Sequence, residues 1–431
     1  MSGAGRLSAL DGLRGIAALV VVVHHGLLTW QVLAMQYFVE NRASGTWWLT
    51  FTPLHLVWAG TEAVMVFFVL SGLVLALPFL ERPARRGRWR GYYGQRLVRL
   101  YVPAVASLVV AAAIVLAFPR QPGATTSWWF DAHAVEPDVP TLLRDALLLD
   151  GSSGVNSVLW SLHYEVLFSL LLPGYLLLVR RLGQRSGWLV PPLLLLVGCG
   201  VYLGSLMLSW LPVFGLGVVM AVLRQRLQRL GADISRGRHA RARWLLLSAV
   251  TVVLLLAEWW TRSLLETAPA ALALARTCGV AGAVLLCFTA LACPSAGSFL
   301  TRRPVQWLGT VSFSLYLVHE PVLVSVSSLV GGSRTGVAVT LLVGMPLAFL
   351  LAVVFHRLVE APSQRLARVV GVRLGAPAAT AFVGRHRPAP AGDHPLPTQP
   401  FPVQRLDPRR GVLTDDVLVG VRGPRSSVGA G

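Results

Sequence analysis

The chain contains no lysine, few acids and few charges of any kind. Charged residues make up 13% of its 431 positions, about half the share a soluble domain carries. Hydrophobic residues make up 55%, and the mean hydropathy is +0.63. So few charges cannot cover that much apolar surface, which excludes a water-soluble globule of this size. Cysteine is sparse too. Cys199, Cys278, Cys287 and Cys293 lie in or beside apolar runs, with no CxxC pair and no nearby histidine partner. Packing is their expected role, and neither a disulfide framework nor a metal site is expected. The first residues, MSGAGRLSALDGLRG, place Asp11 and Arg14 where a secretory signal would turn apolar, so no cleavable leader is expected.

What the chain does have is long apolar runs. Stretches near the roughly 20 residues that cross a bilayer recur ten times, at about 12–33, 57–80, 98–118, 157–179, 188–206, 207–223, 244–261, 268–292, 307–330 and 336–356. The fifth and sixth are short and closely joined, so a buried pair of half-helices is the alternative there. The basic residues sort onto one side of this pattern. All 38 are arginine, giving a net charge of +19. With the N-terminus inside, 32 arginines fall on the inner side, five (Arg42, Arg120, Arg144, Arg262 and Arg334) on the outer side, and Arg276 within a span. Basic residues near spans are retained in the cytoplasm. The bias therefore sets the orientation and supports an even number of spans. It also removes the need for a nucleic-acid partner to explain the charge.

The expected fold is all-α: a polytopic integral membrane protein of about ten transmembrane helices with both termini cytoplasmic. It would sit multi-pass in the cell (inner or plasma) membrane, with the lipid bilayer as its partner. Residues 1–370 form the membrane-embedded domain. Residues 371–431, rich in proline and arginine and without apolar periodicity, form a disordered cytoplasmic tail. The longest outer connection, about 119–156, carries five acids with Trp128 and Trp129. Either it caps the outer face and helps admit a substrate, its tryptophans at the interface, or it is an ordinary polar loop.

Ionisable groups inside spans are costly and so mark candidate sites. On the first span Arg14 and His25 are eleven positions apart. At 100° per residue they fall within about 20° of one face, with a rise of about 16 Å. His25 then lies near mid-bilayer, as a general base or as a packed histidine, above an arginine at the inner rim. His24 points about 100° away and is the weaker candidate. The fourth span opens with Trp160, Ser161, Leu162, His163, Tyr164 and Glu165. Glu165 is expected roughly 12 Å down, near the depth of His25. There it either orients the histidine or makes an interhelical hydrogen bond. The ninth span carries Tyr316 and His319, three apart on one face, in the run Ser312 to Glu320. Agreement in depth among three spans suggests a polar cavity. At the inner rim Arg96 and Arg99 share a face, suited to phosphate or to topology alone. Ser71-Gly72 would allow close helix approach. Arg276 and Glu62 have no evident partner.

The segments LDGLRGIAALVVVVHH, FFVLSG, RLVRLYVP, WSLHYE and FSLYLVH, in that order, resemble the membrane-bound acyltransferase family 3 over about residues 7–365. The resemblance is to the stand-alone form, without a fused hydrolase-like domain. It implies an acyl-CoA-dependent O-acyltransferase that moves an acyl group, often acetyl in this family, from cytoplasmic acyl-CoA to a hydroxyl. The implied partner is a carbohydrate-bearing acceptor: an envelope glycan, a lipid-linked sugar or a glycosylated metabolite. Acetyl-CoA is the implied donor, with no metal. In that family an arginine and a histidine separated by ten residues on the first helix are required; here they are Arg14 and His25. The resemblance implies His25 and Glu165 as catalytic, and Arg14, Arg96 and Arg99 as acyl-CoA-binding. Trp160, Ser161, Tyr316 and His319 would support the site. One departure is Gln95, where many relatives have a further arginine. The competing reading is a transporter of a glycolipid or acyl carrier, which also predicts polar groups at mid-depth.

Overall fold

A computed structural model describes residues 3–81, 87–123, 126–149, 152–262 and 268–376, with side chains from residue 8 onward. The expected tail beyond 376 lies outside the described residues. Among the described residues every regular element is helical.

Ten helices account for the ten apolar runs: α1 (Gly3–Leu28), α2 (Gly60–Glu81), α3 (Arg88–Ala117), α4 (Leu159–Leu182), α5 (Val190–Tyr202), α6 (Leu206–Ile234), α7 (Ala240–Leu255), α8 (Pro269–Ala292), α9 (Arg303–Val330) and α10 (Arg334–Gly375). Among the described residues, eight stretches are long and apolar enough by themselves to cross a membrane. The difference from ten has a local cause. α4 and α5 join through the helical turn Gly183–Leu189 into one stretch, and α7 has only 16 residues. At 1.5 Å per residue α5 and α7 rise about 20 and 24 Å, short of the roughly 30 Å hydrocarbon core. The alternative of a buried half-helix pair is not what forms. α6 is a full helix of 29 residues, and only α5, with 13, is short. α10 is a continuous rod interrupted by two π-helical segments, Thr340–Gly344 and His356–Glu360. Its last part, Ala361–Gly375, packs along α3 and carries the helix past the expected boundary at residue 370.

α2 is apolar on every side and packs against α1, α6 and α8, as a centrally buried helix must. Its crossing with α6 is backbone to backbone. A Cβ on Gly72 would stand 2.0 Å from the Phe214 carbonyl oxygen, so the close approach expected at Ser71-Gly72 occurs.

A second close crossing sets the site. A Cβ on Gly15 of α1 would lie 2.5 Å from the Gly309 nitrogen, and one on Gly309 of α9 would lie 2.4 Å from the Asp11 oxygen. From this contact the two helices run in the same direction. Ten residues along α1 lead to His25 and ten along α9 lead to His319, a rise of about 15 Å on each. The histidines therefore meet because two glycines lock the register at the arginine-rich end.

Candidate active site

At the level the register dictates, His25 Nδ1 lies 2.9 Å from His319 Nε2, and the two rings stack with centroids 5.0 Å apart. The hydrogen-bond pattern assigns the protons. His319 Nδ1 is 2.9 Å from the Leu315 carbonyl, which can only accept. That nitrogen therefore carries the hydrogen, and in a neutral His319 Nε2 is the acceptor. His25 Nδ1 must then donate to it, which leaves the lone pair of His25 Nε2 free for a substrate proton. Behind this pair sits Glu320, fully buried, with Oε2 3.8 Å from His25 Nδ1. Glu320 is itself held by Ser157, whose backbone N–H and hydroxyl each donate to the carboxylate at 2.6 Å. A carboxylate so placed stabilises the imidazolium that forms when His25 accepts a proton.

The connection between α3 and α4 closes over this centre. Its short helix Trp128–Ala132 is tied to the end of α1: the Ser127 hydroxyl donates to the Leu28 carbonyl at 2.6 Å, and Trp128 Nε1 donates to the Ala34 carbonyl at 2.9 Å. Trp129 is buried with its ring 5.1 Å from that of His25, so it covers the site rather than lying at an interface. Of the two readings of this segment, the structure selects the cap. His133 follows, with Nε2 3.6 Å from Glu320 Oε1 and 3.0 Å from the Ser157 hydroxyl. Its Nδ1 is 2.5 Å from the Trp129 carbonyl. Burial pulls the His133 pKa down, but the facing Glu320 carboxylate outweighs it and holds the value above the usual histidine range. Arg120 Nη1 fixes the segment by donating to the carbonyls of His133 and Gly154 at 2.8 and 3.0 Å.

Toward the arginine-rich end a cavity of about 110 Å³ is lined by Arg14, Arg96, Arg99, Ser312, Tyr316 and Glu360, among others. The three arginines expected to act together do converge. Arg14 Nε donates to the Ser312 hydroxyl at 3.3 Å. Arg99 has no hydrogen-bond or ion-pair partner among the described residues, so its guanidinium is open to an anion at the rim. Arg96 is committed. Its Nη2 lies 2.8 Å from Glu165 Oε1, and its Nε donates to the Ser169 hydroxyl at 3.2 Å.

Of the two readings of Glu165, the structure gives the interhelical bond. The carboxylate does not meet His25; it pairs with Arg96 and receives the Ser71 hydroxyl at 3.4 Å. The acid beside His25 is Glu320. The same rule that singled out other ionisable groups in spans applies to it, because it directly follows His319. The pattern of three-residue spacing selected only Tyr316 and His319. His133 and Ser157 lie in a connection, where no helical periodicity points to them.

Ser161 and Tyr316 form one unit, with their hydroxyl oxygens 2.7 Å apart. Tyr316 also lines the arginine cavity, and its ring stands 6.1 Å from that of His319, so this pair joins the two halves of the site. Trp160 stands apart, packed with Phe68, Tyr164 and Trp210. His24 is a packing residue: buried, with Nδ1 2.7 Å from the Trp58 carbonyl. Arg276 has a partner after all in Glu258, 2.7 Å away.

The acyltransferase MdmB of Streptomyces mycarofaciens is 29% identical over 399 residues, spanning 84% of this chain and 92% of that protein. The putative peptidoglycan O-acetyltransferase YrhL of Bacillus subtilis (strain 168) is 24% identical over 351 residues. That match covers 74% of this chain and 49% of YrhL, so the chain spans about half the length of that relative. The O-acetyltransferase PaAT-1 of Phomopsis amygdali is 36% identical over 103 residues, 22% of this chain and 20% of that protein. No solved structure is significantly similar. Residues 7–357 match the acyltransferase domain of the acyltransferase 3 family, and the chain belongs to that family as a multi-pass membrane protein.

Proposed function

We propose that this protein is a membrane O-acyltransferase that moves an acetyl group from acetyl-CoA to a hydroxyl of a carbohydrate-bearing acceptor. The observation that carries the reading is the His25–His319–Glu320 contact, set ten residues beyond Gly15 on the helix that also bears Arg14. The donor's phosphates are assigned to the arginine-rich end, which the charge bias makes cytoplasmic. Arg99 is the open guanidinium there; Arg14 lines the same cavity while engaged by Asp11 and Ser312, and Arg96 is held in place by Glu165. His25 Nε2 takes the proton of the acceptor hydroxyl as its oxygen attacks the thioester carbonyl carbon. The carbon–sulfur bond then breaks, and the CoA thiolate takes the proton back from His25, so the product thiol and the new ester balance the reactants. Glu320 stabilises the transient imidazolium. We assign the Ser161–Tyr316 hydroxyl pair, which adjoins both the cavity and His319, as donor to the oxyanion, its second proton turning from the Val158 carbonyl to the substrate oxygen.

The carbohydrate acceptor is supported by the name of the Bacillus relative and by the resemblance of the motifs. The test is to incubate membranes containing the full chain with labelled acetyl-CoA and an envelope-glycan fraction. Label is expected in ester linkage on the glycan, and His25→Ala is expected to abolish it at equal protein abundance. Label that never reaches an acceptor would favour a transporter. Full-rate labelling by His25→Ala would remove His25 from the chemistry.

A further inference from the structure

A pocket of about 380 Å³ opens at the end of α1 that lies opposite the arginine-rich rim. Its walls are the residues just past α1, from Trp30 to Val32, the turn Ser44–Thr46 in the same connection, and Ser333 with Arg334 where α10 begins. It therefore sits where two spanning helices leave the bilayer on the outer side, at the level of lipid headgroups. Its size falls within the roughly 300–1,000 Å³ of small-molecule sites.

The open groups in this pocket are chiefly donors. The Arg334 guanidinium is exposed and stands 5.9 Å over the Trp30 ring. Among the described residues it has no hydrogen bond and no acid within ion-pair reach, and Trp30 Nε1 and the Gln31 amide have no hydrogen-bond partner. The other outer arginines are committed. Arg42 pairs with Glu40, Arg144 with Asp145, Arg120 with two carbonyls, and Arg262 lies over the rings of Tyr37 and Trp259. The Ser333 oxygen accepts the Gly336 N–H at 3.1 Å and keeps its own hydrogen to donate. A planar guanidinium beside an indole N–H and a hydroxyl suits the oxygens of a phosphate. Among the described residues no acid lines the pocket, so a headgroup ammonium would find no partner there. Headgroup hydroxyls would find the Gln31 carbonyl and the Ser44 hydroxyl. Beside the pocket the surface turns apolar. Val32, which lines it, is 49% exposed, and Met35, three residues on, is 44% exposed. Exposed apolar side chains at a bilayer boundary have acyl chains as their solvent.

We infer that this pocket binds an outer-leaflet phospholipid whose headgroup carries hydroxyls and no ammonium, with its phosphate on Arg334 and Trp30 Nε1, its headgroup against Gln31 and Ser44, and its chains along Val32 and Met35. The pocket shares no lining residue with the arginine cavity. Its occupancy is read without acyl transfer, so its failure would leave the proposed reaction untouched.

The experiment uses the full chain in phosphatidylcholine nanodiscs doped with one of two probes, phosphatidylglycerol or phosphatidylcholine, each carrying a diazirine near the headgroup end of one chain. After illumination, crosslinks are mapped by mass spectrometry. Labelling of residues 31–35 is expected to be about tenfold stronger with the phosphatidylglycerol probe at equal doping. Arg334→Gln should erase that preference, and Arg334→Lys, which keeps the charge, should restore part of it. Arg42→Gln, at the outer arginine already paired with Glu40, should leave it unchanged. Gly45→Trp should fill the pocket and abolish these crosslinks. A Cβ on Gly45 meets nothing within 4 Å and the backbone φ there is −59°, so this variant is expected to fold. Excess inorganic phosphate should not displace the probe. Equal labelling by the two probes would overturn the proposal, as would a preference that survives Arg334→Gln or Gly45→Trp. Displacement by inorganic phosphate would overturn it too, because the pocket would then be a site for free anions.

Discussion

Replacing Glu320 by glutamine tests the assignment of the acid beside His25. The side chain keeps its size and an oxygen for one of the two Ser157 donors, but loses a full charge 3.8 Å from His25 Nδ1. At an effective dielectric of about 20, a unit charge at that distance stabilises an imidazolium by about 4 kcal/mol. That corresponds to about 10³-fold in rate. The amide dipole and the one retained hydrogen bond recover part of it, so turnover should fall about 10²- to 10³-fold with little change in the KM for acetyl-CoA. The assay is acetyl transfer to the glycan fraction at matched membrane abundance, with Glu165→Gln in parallel. Because Glu165 pairs with Arg96 instead of the histidine, its loss should raise the donor KM about tenfold and leave turnover nearly intact. If Glu320→Gln turned over within twofold of the unmutated protein, or Glu165→Gln carried the turnover defect instead, the reasoning would be refuted.

Two further outcomes follow from the packing and the electrostatics. Gly309→Val forces a side chain into the α1 backbone, where a Cβ would lie 2.4 Å from the Asp11 oxygen. It should destabilise the protein by about 1–3 kcal/mol or more and lower the thermal midpoint in detergent; an unchanged midpoint would mean the two helices do not rest on that contact. His133 has a pKa above its ordinary 6.5 because Glu320 favours its charged form. A group raised in this way contributes stability that is fully present below about 6.5 and is lost as pH rises through the folded value. The midpoint difference between the unmutated protein and His133→Gln should therefore shrink between about pH 6 and pH 9; a difference that grew with pH would contradict the Glu320 contact.

The reach of the sequence differs between spans and sites. Apolar runs near bilayer length need no partner to be recognised, so each of the ten runs corresponds to a helix. Their ends were less legible. α3 begins at Arg88, ten residues before its apolar run, and α10 continues to Gly375 because its last turns rest on α3. The alignment of Arg14 with His25 lies on one helix, and a single helix obeys its own periodicity. The convergence of Arg14, Arg96 and Arg99 on one cavity could be expected from their common depth at the inner rim.

Depth alone could not choose between the two readings of Glu165. Counting residues from the end of a span estimates height but not the direction a side chain faces across a helix interface, and Arg96 lies across that interface. By themselves, the residues determined an all-helical membrane protein, the side on which its arginines gather, and the helix that carries Arg14 and His25, because hydrophobicity, charge retention and a 3.6-residue period are local properties. Only the tertiary structure decided that Glu320 stands behind His25, that His133 and Ser157 reach it from a connection, and that Glu165 serves Arg96. Those contacts depend on the register set where Gly15 meets Gly309 and on a loop folded back over α1, and neither is written in the period of any one helix.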